Sequence, residues 1–260
     1  MSTALLEVRS LEVVFDGFRA VADLDLTVDE GEVRFLIGPN GAGKTTLVDV
    51  VTGRTRPASG SVRFGGRELV GMAEHEIVHL GIGRTFQTAT VFEQLTVVDN
   101  IDLAANFRRP LRSLLRRRRG VDERVRVALD AVGLAPLADE PAAVLSHGQR
   151  QWLEIAMLLV QEPKLLLLDE PVAGMTKEER TRTGELVQAI ARQRTVVVVE
   201  HDMDFLRRFA QRVTVLHEGT VLCEGTVAEV QADERVQEVY LGRGGGTRHG
   251  PEAAAVGPGA

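Results

Sequence analysis

Residues 38–46 read Gly38-Pro39-Asn40-Gly41-Ala42-Gly43-Lys44-Thr45-Thr46, satisfying G-x-x-x-x-G-K-[ST] at every constrained position. Such a stretch dictates what flanks it. Gly38, Gly41 and Gly43 let the backbone turn tightly enough for successive N–H groups to converge on one anion. Lys44 reaches the terminal phosphates as a point charge. Thr45 offers a hydroxyl to Mg²⁺, an ion that keeps most of its waters and takes few protein ligands. Upstream, Val33-Arg34-Phe35-Leu36-Ile37 is a short β-prone run, and residues 45–51 downstream can open a helix. Strand, glycine loop and helix N-terminus together predict a site for the phosphates of a nucleotide such as ATP.

The 260 residues suffice for one large α/β domain or a core domain with an inserted subdomain. A formal net charge of −6 gives no reason to expect nucleic acid as the main partner. Cys223 is the only cysteine, which excludes an intramolecular disulfide and a cysteine-based zinc cluster and predicts a buried, inert thiol. No apolar run approaches the roughly 20 residues of a membrane helix, and the first residues lack the apolar stretch of a signal peptide. Taken alone, the chain reads as soluble and cytosolic.

Residues 5–36 alternate in a β-like manner, with turn signals at Asp16-Gly17 and Asp29-Glu30-Gly31. A second hairpin follows the glycine loop, from Ser59-Gly60 to Gly65-Gly66. From about 90 to 160 the chain turns to helix formers and charge, with helical periodicity over 123–132 and 149–160. Strand signals return at 165–168, 195–199 and 213–216. The pattern predicts a β-rich nucleotide core interrupted by a helical insertion. Residues 242–260, rich in Gly, Pro and Ala, are expected to form a disordered tail.

Leu165-Leu166-Leu167-Leu168-Asp169-Glu170-Pro171 is an apolar strand ending in two acids. It delivers Asp169 beside the glycine loop, where it can hold Mg²⁺ through water, and places Glu170 to polarise an attacking water. Leu145-Ser146-His147-Gly148-Gln149 then resembles the Leu-Ser-Gly-Gly-Gln signature of the ATP-binding-cassette family. Structurally, Ser146 is also a good helix N-cap. The resemblance implies more: Ser146, Gly148 and Gln149 at a helix N-terminus would bind the γ-phosphate of ATP held by an opposite subunit. Gln87, after Arg84-Thr85-Phe86, is similar to the family's glutamine loop, which touches Mg²⁺ or water. His201, after Val196-Val197-Val198-Val199-Glu200, resembles the switch histidine that contacts the γ-phosphate. Phe15 resembles the aromatic that stacks on adenine, with Phe18 the other candidate. Ala173-Gly174-Met175-Thr176 occupies the segment that crosses the dimer interface. His147 and Thr176 depart from the usual glycine and aspartate.

The resemblance covers most of residues 5–225. It implies a mixed α/β P-loop NTPase core (RecA-like) with an N-terminal antiparallel β subdomain and an inserted α-helical signature subdomain. Expected boundaries are a core of about 1–88 and 161–225, a helical subdomain of about 89–160 and a C-terminal helical extension of about 226–241. The implied activity is Mg²⁺-dependent ATP hydrolysis powering solute import. Asp169, Thr45 and Gln87 would serve the metal, and Glu170, His201 and Gln87 the hydrolytic step.

Finer resemblance is to the branched-chain amino-acid and urea import group, through Gly83-Arg84-Thr85-Phe86-Gln87, Glu200-His201-Asp202-Met203 and Ala173-Gly174-Met175. Ser146-His147-Gly148-Gln149, Gln151-Trp152-Leu153-Glu154-Ile155, Pro171 to Thr176 and the ending Val236 to Gly242 are similar to the urea member, making urea the first expected cargo. Branched-chain amino acids are the alternative, and a non-transport cassette ATPase a distant one. Trp152 also reads as the aromatic anchor of a buried helix. The implied partners are a second ATPase subunit, identical or more readily different, two transmembrane permease subunits and an extracytoplasmic solute-binding protein. The chain would then sit on the cytoplasmic face of the membrane, held peripherally through the permease, with Phe92 among the residues lining the docking groove. The basic run 108–119 is expected to be a solvated loop, or else a contact for anionic lipid or an acidic permease loop.

Overall fold

The structure is a computed structural model that describes residues 3–85, 90–106 and 122–241. Strands β1 (Ala4–Phe15) and β2 (Phe18–Asp29) form a hairpin across the Asp16-Gly17 turn, pairing Phe15 with Phe18. Each strand is longer than the short runs visible in sequence, because register shifts at Val8/Leu11 and Val13/Val14 break their alternation. β4 (Ser59–Phe64) adds to β1 and β5 (Arg67–Glu68) to β4, giving an antiparallel sheet of order β2-β1-β4-β5.

The second sheet is built from β3 (Val33–Ile37), β6 (Ile82–Arg84), β7 (Leu165–Asp169), β8 (Thr195–Val199), β9 (Arg212–His217) and β10 (Thr220–Gly225), in the order β10-β9-β3-β8-β7-β6. It is parallel except for the β9–β10 hairpin. β3, β7 and β8 are buried at every residue, which is why they are mostly apolar, with Arg34, Asp169 and Thr195 the polar exceptions. Their alternate side chains feed two cores. Phe35, Leu166, Leu168, Val196 and Val198 face a layer that includes α3 (Val97–Ala105), α4 (Glu123–Val132), α5 (His147–Leu159), α6 (Lys177–Ala191) and α7 (Met203–Phe209). Leu36, Leu165, Leu167, Val197 and Val199 face the antiparallel sheet and α1 (Lys44–Val51), with Ile77 of α2 (Glu74–Leu80). α8 (Val227–Ala232) and α9 (Glu234–Leu241) close the described chain, packing Val230, Val236 and Tyr240 onto the first core.

Arg34 is the one charged residue of β3, yet it is only 1 % exposed. Its guanidinium pairs with Glu32 at 2.6 Å and Glu224 at 2.6 Å and donates to Thr27 O at 3.0 Å. Those partners satisfy the buried charge. Cys223 is half-buried on β10 rather than fully buried, and burial still raises its thiol pKa. Among the described residues no helix is long and apolar enough to cross a membrane. The basic run 108–119 and the tail 242–260 lie outside the described residues.

Candidate functional site

The order β9-β3-β8-β7 puts the ends of β3, β8 and β7 side by side, and the chemistry collects beyond their carboxyl ends. β3 runs into the glycine loop and α1 leaves it, beginning at Lys44 with Gly43 as its N-cap in the left-handed region (φ 99°). Two glycines are demanded by space as well as by dihedral. A Cβ on Gly38 (φ 151°) would sit 2.2 Å from Leu216 O, and one on Gly43 2.7 Å from Ala20 O. The loop is therefore wedged between β9 and β2.

An open cleft of about 510 Å³ lies over this loop, lined by Phe15, Phe18, Asn40, Gly41, Ala42, Gly43, Lys44, Thr45, Thr46 and Glu170, with Ala20 and Val199. Phe15 and Phe18 are exposed at 47 % and 65 %, so both offer a bare ring face at the cleft. Lys44 is buried, its ammonium donating to Gly38 O at 2.7 Å and Pro39 O at 3.1 Å. Burial lowers its pKa, while Glu170 and Asp169 pull it back up.

Asp169 ends β7 and is 2 % exposed. Burial raises its pKa and Arg84 opposes that rise. Arg84, at the end of β6, spans Asp169 Oδ2 at 3.1 Å and the Asp49 carboxylate of α1. Asp169 N donates to Thr85 Oγ1 at 3.1 Å. Asp169 Oδ1 is buried with no hydrogen-bond partner. An orphaned carboxylate oxygen costs free energy unless something else satisfies it, and a hydrated divalent cation fits that need.

Glu170 adopts φ 49°, unusual for a residue with a side chain. Its N–H donates to Val199 O at 2.9 Å, fixing the turn that carries its carboxylate into the cleft. His201 follows β8, its Nδ1 3.4 Å from Glu170 Oε1. Glu200, missed as a site residue in the sequence, organises both loops. Its Oε1 accepts from Val172 N at 3.2 Å, and its Oε2 from His201 N at 3.0 Å and Asp202 N at 3.2 Å. Burial raises the Glu200 pKa against the pull of these three N–H groups. Only the spacing of the β7 and β8 ends reveals that role.

Ser146 N-caps α5, its Oγ accepting from Gln149 N at 3.2 Å while Gln149 Oε1 accepts from Ser146 N at 2.9 Å. This reciprocal capping box occupies the Gln149 side chain within its own helix. Gly148 is buried against α6, where a Cβ would lie 2.6 Å from Glu179 Oε1. Ser146, Gly148 and Gln149 are not among the residues lining the cleft. Thr176 serves as the N-cap of α6, accepting from Glu179 N at 3.2 Å, so its hydroxyl does there what an aspartate carboxylate would do. Trp152 is buried, with Nε1 donating to Thr183 Oγ1 at 2.9 Å, which fits its reading as a helix anchor. Gln87 lies outside the described residues.

Residues 21–173 match the family model described as ABC transporter, and residues 220–245 match that of the branched-chain amino acid ATP-binding cassette transporter. The chain is 36% identical to the high-affinity branched-chain amino acid transport ATP-binding protein BraF of Pseudomonas aeruginosa, covering 93% of this chain and 99% of the relative. It is 35% identical to LivG of Salmonella typhimurium, a protein of the same description, with 93% and 99% covered. It is also similar to the solved ADP conformation of an ATP-binding cassette of an ABC transporter, at TM-score 0.81 and 30% identity, covering 93% of this chain and 100% of that one. With a cleft over the glycine loop lined by Glu170, the buried Asp169 next to it in the chain and these relatives, the chain belongs to the ABC transporter family, as an ATP-hydrolysing subunit that powers transport.

Proposed function

We propose that this chain drives an importer of branched-chain amino acids. The observation that carries the reading is the match of its C-terminal residues 220–245 to the branched-chain family model, beyond the shared ATPase segment. The names of the relatives agree. They favour this cargo over urea, whose resemblance rests on the short motifs around Ser146 and Pro171. Uptake of labelled leucine and urea in cells deleted for this chain separates the two. Loss of leucine uptake alone is expected; loss of urea uptake alone overturns the assignment.

The chemistry at the cleft is positioning and electrostatics. The loop N–H groups and Lys44 cradle the β- and γ-phosphates, Lys44 exchanging its bonds to Gly38 O and Pro39 O for phosphate oxygens. Phe15, with Phe18 beside it, offers a ring to adenine. Thr45, Asp169 and Gln87 would hold Mg²⁺, which when bound neutralises charge developing on the phosphates. Glu170 orients a water and takes its proton as the water oxygen attacks the γ-phosphorus. The bond from that phosphorus to the bridging oxygen breaks, leaving ADP and phosphate. His201, close to the Glu170 carboxylate, steadies the γ-phosphate.

Ser146, Gly148 and Gln149 lie away from this cleft, which supports their service to ATP on a second ATPase subunit, identical or different. A Glu170→Gln chain is expected to accumulate as an ATP-bound pair, detected by size-exclusion chromatography with ATP. Two permease subunits and an extracytoplasmic binding protein complete the machine, with this chain held peripherally on the cytoplasmic face. Phe92, Leu95 and Leu103, at 51 %, 36 % and 49 % exposure on and before α3, are suited to receive an apolar permease helix.

A further inference from the structure

The segment that follows Glu170 is held from two sides by side chains to which the ATPase reading above gives no role. From the signature turn, His147 Nε2 lies 3.1 Å from Ala173 O. A carbonyl only accepts, so Nε2 carries the proton, and the neutral Nε2–H form and the imidazolium both make the bond. Gly174 lies beside the ring in the left-handed region (φ 69°), which favours glycine. From α6, Arg180 Nε donates to Met175 O at 3.1 Å. The same guanidinium reaches Asp202 Oδ2 at 2.7 Å with Nη1. Asp202 follows His201 directly and caps α7, its Oδ1 accepting from Asp204 N at 3.0 Å and Phe205 N at 2.9 Å. Ala173 N in turn donates to Glu170 O at 3.1 Å.

These contacts form one strap running from the signature turn through residues 173–175 to the loops of Glu170 and His201. We propose that His147 and Arg180 are positioning residues for hydrolysis, joining the turn that serves the partner's ATP to the residues that serve this chain's own ATP. This rests on the composite-site reading above. A shift of the signature turn on meeting the partner's γ-phosphate is carried to Glu170 through the Ala173 carbonyl. The Met175 carbonyl and Arg180 carry it to the neighbour of His201. The histidine in place of the usual signature glycine is thus one end of the strap.

The test uses the assembled transporter containing this chain, with steady-state ATP hydrolysis and equilibrium binding of a fluorescent ATP analogue as readouts. His147→Ala is expected to lower kcat about tenfold with KM for ATP and analogue affinity within about twofold, because the strap touches no nucleotide. His147→Gln, whose amide N–H can reach the same carbonyl, should recover kcat to within about threefold of the parent. Arg180→Met should show the same kcat-selective loss, and the double variant should fall no lower than the worse single one. Both side chains are exposed or nearly so, so unchanged thermal unfolding is expected to accompany these effects. Normal kcat in both single variants, additive losses, or a His147→Ala defect that glutamine leaves uncorrected would overturn the proposal. Ser146→Ala separates this failure from failure of the composite site. If it leaves ATP-dependent pairing intact, the composite reading falls and the strap with it. If it abolishes pairing while His147→Ala and Arg180→Met turn over normally, the strap alone falls.

Discussion

Arg84 shows how much a single side chain can hold together. It bridges Asp169 at the end of β7 and Asp49 on α1 while itself 7 % exposed. Removing one partner of a buried ion pair leaves an uncompensated charge, which costs about 3 kcal/mol or more. Arg84→Gln is therefore expected to lower unfolding free energy by about 3 kcal/mol in urea titrations; a loss under about 1 kcal/mol would show that water already screens the two acids. In the sequence Arg84 was visible only as part of a motif, because its partners lie 35 and 85 residues away. The placement of Lys44 and Glu170 at one cleft, with Asp169 near Lys44, was legible for the opposite reason: each sits in a recognisable local string. Glu200 fell between these cases. Its position after an apolar strand was plain, but the three N–H groups it collects come from two separate loops.

Elements add constraints that no single residue shows. Gly184 lies inside α6, where alanine would ordinarily favour the helix by about 1 kcal/mol. Here a Cβ would stand 2.2 Å from Cε2 of Phe209, a buried ring of α7 packed tilted against Phe205 with centroids 5.0 Å apart. Overpacking of that kind costs about 1–3 kcal/mol, so the contact outweighs the propensity. Gly184→Ala should lower the urea midpoint, and an unchanged or raised midpoint would mean that α7 moves aside freely. The helix α9 offers a second measurement. Tyr240 is the only tyrosine of the chain, and burial pushes its pKa up to about 12. A folded pKa above the unfolded value of about 10 means that its contribution is complete below pH 10 and is lost as pH rises through 12. Absorbance at 295 nm should show phenolate appearing near pH 12 in the folded chain, and Tyr240→Phe should be less sensitive to that rise.

The whole molecule was readable in outline because its central strands are buried on both faces and its turns carry Gly and Asp. The helical layer was recognisable by period and charge, and α4 matches the predicted 123–132 span. Two things escaped. The bulged pairing of β1 with β2 hid the length of both strands, since each shift inverts the alternation that marks a strand. The seating of Arg34 depends on Glu224, 190 positions along the chain, which becomes its neighbour only when β10 pairs with β9 beside β3. Cargo was the least legible property, because the chain's chemistry addresses phosphate and no residue here is required to meet the solute.

The backbone at Glu170 is strained. Its φ of 49° costs a residue with a side chain about 1 kcal/mol or more, whereas glycine or asparagine tolerates that region. Glu170→Gly and Glu170→Asn should therefore melt at or above the parent temperature while hydrolysing no ATP, and a clear fall in melting temperature for both would contradict this. Selection for endurance alone would drift away from glutamate at this position. With Glu170 orienting the attacking water as proposed, turnover is what keeps the less comfortable residue there, so the chain's durability and its work are set against each other at one peptide unit.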